Sequence, residues 1–178
     1  MRKKDRKNEI AYAVLLAVIL FMALYIFLPN LFVEPLAELT LPELSTAGFT
    51  EVNLSVEIQD NYGTVFLGND CYVVSADVER SQAVSIQDGI DGKVGPRPNT
   101  HDLFNDLLEN LDVKIMMIKI THVEDNAYRS NFILRQGNII LNFDARPSDA
   151  IAIAARTEYL VPIYFNETLL KEVGTKIC

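Results

Sequence analysis

Two short segments of the chain concentrate side chains that could do chemistry. Residues 144–156 read DARPSDAIAIAAR, and residues 97–102 read RPNTHD. Each segment holds an arginine, a proline, a hydroxyl residue and an aspartate in the same order, and the second adds a histidine. Guanidinium groups bind phosphates and carboxylates, carboxylates bind hard cations, and an imidazole can transfer a proton. We therefore predict one polar site if the two segments meet in space.

Both segments also have the sequence pattern of a helix start. Pro147 prevents a helix from extending backwards through its segment. Ser148 and Thr100 are the predicted N-caps, and Asp149 and Asp102 would lie in the first turns, where they complement the helix dipoles. Capping accounts for these four residues, but it requires neither the arginines nor the histidine. Converging helix starts would also offer backbone N–H groups to an anion.

The rest of the chain predicts the elements that must position these segments. Strands and helices are grouped rather than strictly alternating, which favours an α+β fold: an antiparallel β-meander with helices packed against it. The predicted strands are 52–58, 64–67, 71–76, 113–123, 128–134, 139–143 and, as a short edge strand, 161–165. The predicted helices are 77–86, 100–111, 148–157 and a short last one capped by Asn166 or Thr168. Helix 100–111 carries an apolar face of Leu103, Phe104, Leu107, Leu108 and Leu111.

The N-terminal region is expected to cross a membrane once. Residues 10–28 are free of charged side chains, and a helix of that length covers roughly 28 Å. Five basic residues precede it, so the positive-inside rule places the N-terminus in the cytoplasm and the domain on the extracytoplasmic side of the cell membrane. The predicted organisation is a basic tail 1–9, a transmembrane helix 10–33, a stalk 34–50 and a domain 51–178. A buried central helix and a cleaved signal peptide are the alternatives.

Charge limits the partners of the domain. Residues 10–178 contain 11 basic and 22 acidic residues, a net charge of −11. A domain with this negative charge is poorly suited to nonspecific nucleic-acid binding, because such binding depends on neutralising phosphates. A polyanion site would need a local basic cluster or a metal ion. Cys71 and Cys178 lie at opposite ends of the domain, and we expect separate thiols rather than a disulfide.

The two motifs, in this order and with the meander between them, resemble the bifunctional nuclease domain family. RPNTHDLF matches the family pattern R-P-x-T-H-D-L, and DARPSDAIAIAARTEYLVPIYF matches D-x-R-P-S-D-A-I-x-L-A followed by a P-I-[YF]-V strand. The resemblance covers about Val52 to Leu170 and implies a compact, self-associating α+β domain, with nuclease activity on DNA and RNA ascribed to some members. Asn99 departs from it, because an aliphatic residue is usual there, as do residues 127–130.

The resemblance turns the polar residues into candidates for phosphodiester hydrolysis, which needs an activated water, neutralised phosphate charge and help for the leaving oxygen. The catalytic candidates are His101, Asp102, Asp149 and Glu79. The phosphate-binding candidates are Arg97, Arg146, Ser148 and Thr100. The candidate ligands of Mg²⁺ or Mn²⁺ are Asp102, Asp144 and Asp149. The expected function is metal-dependent hydrolysis of DNA or RNA by a membrane-anchored homo-oligomer.

Two alternatives remain open at this point. The arginines could pair with the aspartates in a buried ionic lattice that only holds the helices together. The same pocket could instead belong to a non-catalytic module that binds a small anion or a protein.

Overall fold

A computed structural model describes residue 12, residues 14–22 and residues 42–178 of the chain. Residues 14–22 are helical, and their apolar side chains are exposed. Within these described ranges, no helix is both long and apolar enough to cross a membrane. The tail 1–9, most of the span 10–33 and residues 34–41 of the stalk lie outside the described residues. The predicted anchor therefore stays a prediction.

The unit Ser45–Cys178 is built on one eight-stranded sheet. Its strands are β1 (Phe49–Ile58), β2 (Tyr62–Gly68), β3 (Tyr72–Glu79), β4 (Val113–Glu124), β5 (Ala127–Gln136), β6 (Ile139–Ala145), β7 (Ile163–Asn166) and β8 (Thr175–Lys176). Their order across the sheet is β6-β5-β4-β7-β1-β2-β3-β8. Only β4 and β7 pair in parallel; the other neighbours are antiparallel. This mixed sheet confirms the α+β class and the predicted β4–β5–β6 meander.

The helices of this unit are α1 (Arg80–Ile90), α2 (Thr100–Asn110), α3 (Pro147–Ala154) and α4 (Glu167–Val173). A short 3₁₀ helix, Pro42–Leu44, precedes the unit. Helix α3 contacts α1, α2 and strands β4 and β5. All five of its residues from Ala150 to Ala154 are buried, which explains the alanine–isoleucine run: small side chains let α3 pack on neighbours all round. Because α3 contacts both α1 and α2, its start can lie close to theirs.

Strand β7 is central rather than an edge, so that prediction was wrong. It lies between β1 and β4, and its register pairs Ile163 with both Val52 and Ile118. Ile163 and Phe165 are buried on one face of the sheet, where Phe165 contacts the ring of Tyr128 edge-on at 6.0 Å. A four-residue strand is short enough to suggest an edge, but the backbone of β7 pairs with β1 on one side and with β4 on the other.

Two further expectations are corrected by the structure, one at the start of α1 and one at the two cysteines. Helix α1 starts at Arg80, later than predicted, because β3 continues to Glu79 in register with Tyr62. Cys71 and Cys178 form a disulfide, with their Cα atoms 4.6 Å apart, rather than separate thiols. The C-terminus returns to the sheet as β8, which pairs with β3, and Ile177 N donates to Cys71 O at 2.9 Å. Pairing of the strands brings together cysteines that are 107 residues apart.

Candidate functional site

The two polar segments meet at one open cleft of about 610 Å³ between the starts of α2 and α3 and the exposed side of α1. We call this the polar cleft. It is lined by Glu79, Ser81, Gln82, Ser85, Asn99, Thr100, His101, Phe104, Arg146, Asp149 and Ile153. His101 Nε2 of the first segment lies 3.6 Å from Asp149 Oδ1 of the second. The structure therefore brings the two helix starts into contact.

The first helix start is capped by Asn99 rather than by Thr100. Asn99 Oδ1 accepts hydrogen bonds from the backbone N–H groups of His101 at 2.8 Å and Asp102 at 3.1 Å. Asp102 Oδ2 in turn accepts from Asn99 N at 2.7 Å, which completes a capping box. Thr100 is the first residue of α2 and lines the polar cleft. The predicted cap was displaced because Asn99 has a reciprocal partner three residues on and Thr100 does not.

The second helix start has no side-chain cap. Arg146 occupies the N-cap position, Pro147 is the first helical residue, and Ser148 is the second, so the predicted Ser148 cap was wrong. Ser148 lines a small apolar cavity of about 50 Å³ instead of the polar cleft. Proline at the first helical position has no N–H to satisfy, which reduces the need for a cap.

Arg146 and Asp149 form an ion pair at the mouth of the polar cleft. Arg146 Nε donates to Asp149 Oδ2 at 2.7 Å, and Nη2 donates to Oδ1 at 3.2 Å. These hydrogen bonds raise the pKa of the Arg146 guanidinium. The Arg146 side chain is 71% exposed and that of Asp149 is 30% exposed. The pair is therefore accessible to a ligand and is not part of a buried lattice.

His101 is held between this ion pair and α1. Its Nδ1 lies 2.9 Å from Ser85 Oγ, and its side chain is 21% exposed. Ser85 Oγ also accepts from Arg156 Nη2 at 3.1 Å. Because the guanidinium can only donate, Ser85 Oγ accepts from Arg156. We therefore assign the Ser85 hydroxyl as the donor to His101 Nδ1, which carries no proton in this tautomer. In the neutral imidazole the remaining N–H is then on Nε2, which faces Asp149 and the cleft.

A buried ionic lattice does exist, but its cation is Arg156, which the sequence analysis missed. Arg156 Nε donates to Asp102 Oδ1, and both side chains are more than nine-tenths buried. Arg156 Nη1 also donates to the backbone oxygens of Ser85 and Ala152. Arg156 thus joins α1, α2 and the end of α3 behind the polar cleft. The one sequence signal is an arginine that directly follows the apolar run 150–155, where it can bind the last carbonyls of the helix.

Close helix packing accompanies this lattice. A Cβ atom on Gly89 would lie 2.9 Å from Ala155 Cβ and 2.9 Å from Arg156 Nη1. Helix α1 can therefore approach the end of α3 only with glycine at this position.

Of the remaining candidates, only Glu79 lines the polar cleft. Glu79 lines the polar cleft and is exposed, whereas Arg97 is exposed and is not among the cleft residues. Asp144 lies on β6, with its Oδ2 3.9 Å from Arg129 Nη1. Asp102 is committed to Arg156, so the three predicted metal ligands do not face a common point. Within residues 12, 14–22 and 42–178, no group of three or more His, Cys, Asp or Glu side chains could hold a metal ion.

Comparison with known proteins then decides the family. The family model for the bifunctional nuclease domain matches residues 68–177, more than half of the chain. The chain belongs to the bifunctional nuclease domain family. All the residues of the polar cleft lie inside the matched range.

Relatives of this bifunctional nuclease domain protein include two uncharacterized proteins of Mycobacterium tuberculosis. Each is 33% identical over 100 residues, which cover 56% of this chain and 58% of the relative. The protein named Bifunctional nuclease 1 of Arabidopsis thaliana is 29% identical over 84 residues, 46% of this chain and 25% of that protein. The chain thus matches less than two thirds of the length of these curated relatives.

Acid is expected to weaken the Asp102–Arg156 lattice of this bifunctional nuclease domain. Burial alone would raise the pKa of Asp102, but hydrogen bonds from Arg156 and Asn99 and the nearby positive charge hold it below the ordinary value of 3.8. Asp102 therefore stabilises the fold fully above that ordinary value, and its contribution is lost as the pH falls through the lower folded-state pKa. Urea unfolding between pH 7 and pH 2 should show the free energies of wild type and Asp102→Asn converging below about pH 4. A constant difference across this range would contradict the assignment.

Proposed function

We propose that the polar cleft binds and hydrolyses phosphodiesters of DNA or RNA. One observation carries this proposal: His101, Asp149 and Arg146 lie together at an open cleft in a domain of the bifunctional nuclease family. The name of the Arabidopsis relative supports the same activity class. A volume of about 610 Å³ is within the range of small-ligand sites, so the cleft can admit a nucleotide unit rather than a whole duplex.

In the proposed reaction Arg146, Glu79 and His101 have different roles. The exposed Arg146 guanidinium binds a phosphate oxygen, for which it must exchange part of its pairing with Asp149. Glu79 accepts a proton from the attacking water as the new P–O bond forms. In protonated His101 both ring nitrogens carry a proton, so the Ser85 hydroxyl turns and accepts from Nδ1; the Nε2 proton, beside Asp149, passes to the ester oxygen as the P–O ester bond breaks. Asp102, which is buried against Arg156, is assigned a positioning role.

A divalent cation is compatible with this cleft only with help from the substrate. Mg²⁺ commonly binds through one or two carboxylates together with phosphate oxygens. Glu79 and Asp149 are the carboxylates that line the cleft and would hold Mg²⁺ or Mn²⁺ in that way. The ion would supply charge neutralisation and an acidified water.

Replacing His101 with alanine is expected to lower the hydrolysis rate by roughly 10²–10⁴-fold, the usual contribution of a general acid. The chain has a second histidine, His122, which lies exposed on β4 and outside the cleft residues, so His122→Ala is the matched control. The assay uses labelled single- and double-stranded DNA and RNA, with Mg²⁺, Mn²⁺ or EDTA. Cleavage that survives both His101→Ala and Asp149→Ala would overturn the proposed site.

A non-catalytic module that binds an anion or a protein is the second candidate. Three observations favour it: the domain is acidic, Arg146 is the one arginine or lysine lining the described cleft, and the described residues hold no group of three metal ligands. Calorimetry with a nucleoside monophosphate or inorganic phosphate separates the candidates. Binding that requires Arg146, without any product from nucleic acid, would support the module and reject the nuclease.

We also propose that a helix within residues 10–33 anchors the domain outside the cytoplasm. The uncharged run and its basic flank support this topology, and so does the Cys71–Cys178 disulfide, because disulfides persist in oxidising compartments. Protease added to intact cells should digest the domain of the full chain while leaving a cytoplasmic marker intact. Digestion only after lysis would reject the orientation.

A further inference from the structure

Helix α2 contributes the one phenyl ring among the described residues of the polar cleft. Phe104 lies one turn after His101 and is 38% exposed. The residues of α2 that are buried are Asp102, Asn105 and Leu108. Phe104 is not part of the hydrophobic core, and within the described part of the chain its ring pairs with no other aromatic ring. The ring is therefore available to a ligand in the cleft.

The leucines of α2 do not share this position. Leu103 is 65% exposed and Leu107 is 50% exposed, and neither lines the polar cleft. The helix itself was predicted correctly, but its apolar face is the outer one, because Asp102 faces inward to meet the buried Arg156. Phe104 is less exposed than either leucine, so part of its ring is packed and held in place. Of the exposed apolar residues of α2, Phe104 alone borders the polar groups.

Polar and apolar residues follow one another in the same order on the two helices of the cleft. On α2, Phe104 comes one turn after His101, and on α3, Ile153 comes one turn after Asp149. One turn of helix is about 5.4 Å long. Because His101 and Asp149 lie 3.6 Å apart, the charged groups gather at the helix starts and the apolar groups lie further along. A nucleotide has the same order, with a charged phosphate at one end and a flat base at the other.

We propose that Phe104 is the base-binding residue of the polar cleft, where its ring stacks on the nucleobase whose phosphate pairs with Arg146. This inference rests on the proposed binding of phosphodiesters and names the part of the substrate that supplies affinity. Arg146 is the one arginine or lysine lining the described cleft, so charge holds a single phosphate and stacking adds the rest. Every base has a flat face, so little discrimination among the bases is expected.

Stacking on Phe104 selects single-stranded nucleic acid. In a duplex both faces of a base are covered by its neighbours, and drawing the base out of the stack costs free energy. The charge of the domain acts in the same direction. Duplex DNA carries one negative charge per about 1.7 Å of its axis, whereas a single strand carries one per about 3.4 Å. Residues 10–178, with a net charge of −11, therefore repel a duplex more strongly than a single strand.

Calorimetry of the full chain in a nonionic detergent tests the base site without any catalysis. The probes are adenosine monophosphate and ribose 5-phosphate, which share a phosphate and a sugar and differ in the base. Wild type should bind the nucleotide roughly 5- to 100-fold more tightly, the range that stacking on one ring gives. Phe104→Ala should lose that difference, and Phe104→Tyr should keep it.

Leu103→Ala is the matched control for these measurements. It removes an exposed apolar side chain from the same helix but outside the cleft, so it should bind both probes as wild type does. Equal affinity of wild type for the two probes would overturn the proposal. So would a Phe104→Ala variant that still prefers the nucleotide.

Fluorescence shows whether the base lies on the ring itself. The chain has no tryptophan, so Phe104→Trp introduces a single indole at the proposed site. Adenosine monophosphate should quench its emission in a saturable way, and ribose 5-phosphate should not. Leu107→Trp places the indole one turn further along α2 and outside the cleft, where the nucleotide should not quench it. Quenching of both indoles, or of neither, would reject Phe104 as the stacking residue.

Cleavage assays separate the base site from the proposed nuclease activity. With the same labelled strand, alone or in a duplex, the kcat/KM of wild type should be about tenfold or more higher for the single strand. Phe104→Ala should raise KM for the single strand and leave kcat nearly unchanged, because stacking binds substrate and transition state alike. Cleavage without strand preference would reject the base site and leave the nuclease intact. Nucleotide binding that requires Phe104, in a chain that cleaves nothing, would support the base site and reject the nuclease.

Discussion

Replacing Arg156 with alanine is expected to lower the free energy of unfolding by about 3–5 kcal/mol, the usual cost of removing one partner from a buried ion pair. Both Arg156 and Asp102 are more than nine-tenths buried, so the loss would leave the Asp102 carboxylate in a poorly solvated site. It would also remove the donors to the Ser85 and Ala152 backbone oxygens. Three helix segments depend on this one side chain.

Arg146→Ala is the matched control, because it removes the same group from an ion pair whose arginine side chain is 71% exposed. Its effect should stay within about 1 kcal/mol, as for surface pairs. Arg156→Lys should fall between the two, since lysine keeps the charge but cannot reproduce the forked geometry. Urea unfolding at pH 7 measures all three variants. Equal losses for Arg156→Ala and Arg146→Ala would show that burial does not distinguish the two pairs.

The Cys71–Cys178 disulfide is expected to make the second large contribution to the free energy of unfolding. Cys71 and Cys178 are separated by 107 residues, and closing a loop of about 100 residues lowers the entropy of the unfolded chain by the equivalent of about 4–5 kcal/mol. The double variant Cys71→Ser/Cys178→Ser should therefore lose up to that amount. Its free energy of unfolding, measured by denaturant titration, should equal that of the reduced wild type. In the native protein the disulfide also helps to hold β8 against β3.

Reductant provides the internal control for this prediction. It should destabilise wild type and leave the double serine variant unchanged. Two reactive thiols in the native, unreduced protein would contradict the disulfide, and they would also remove its support for an oxidising compartment.

The buried Asp102–Arg156 ion pair and the proposed catalytic site are connected through shared residues. Ser85 accepts a hydrogen bond from Arg156 and lies against His101 Nδ1, so it connects the buried lattice to the polar cleft. The lattice thereby positions the imidazole ring through its Nδ1 atom, while Asp149 Oδ1 lies 3.6 Å from Nε2 on the cleft side. A loss of Arg156 is expected to disturb His101 even where the fold survives. For this reason, activity of Arg156 variants should be compared at equal folded fractions.

Local sequence patterns determined much of this protein. The motif pair, its order and the meander suffice for the family and the α+β class, and the two helix starts, whose meeting was a hypothesis, do lie in contact. The positions of α2 and α4 were predicted accurately because capping and periodicity act over a few residues, whereas α1 starts later than predicted. The Asn99 cap shows the limit of such patterns, since two adjacent residues both fit and only the reciprocal bond with Asp102 decides between them.

Tertiary structure alone decided the partners across long separations. Arg156 meets Asp102 over 54 residues and Ser85 over 71, and the cysteines meet over 107. The central position of β7 in the sheet also depends on neighbours from distant parts of the chain. So does the exposure of Leu103, Leu107 and Leu111 on α2. A periodic pattern predicts that a helix or strand has two different faces, but tertiary packing determines which face is buried. In α2 the buried Arg156 required the carboxylate inside, so the leucines were left at the surface.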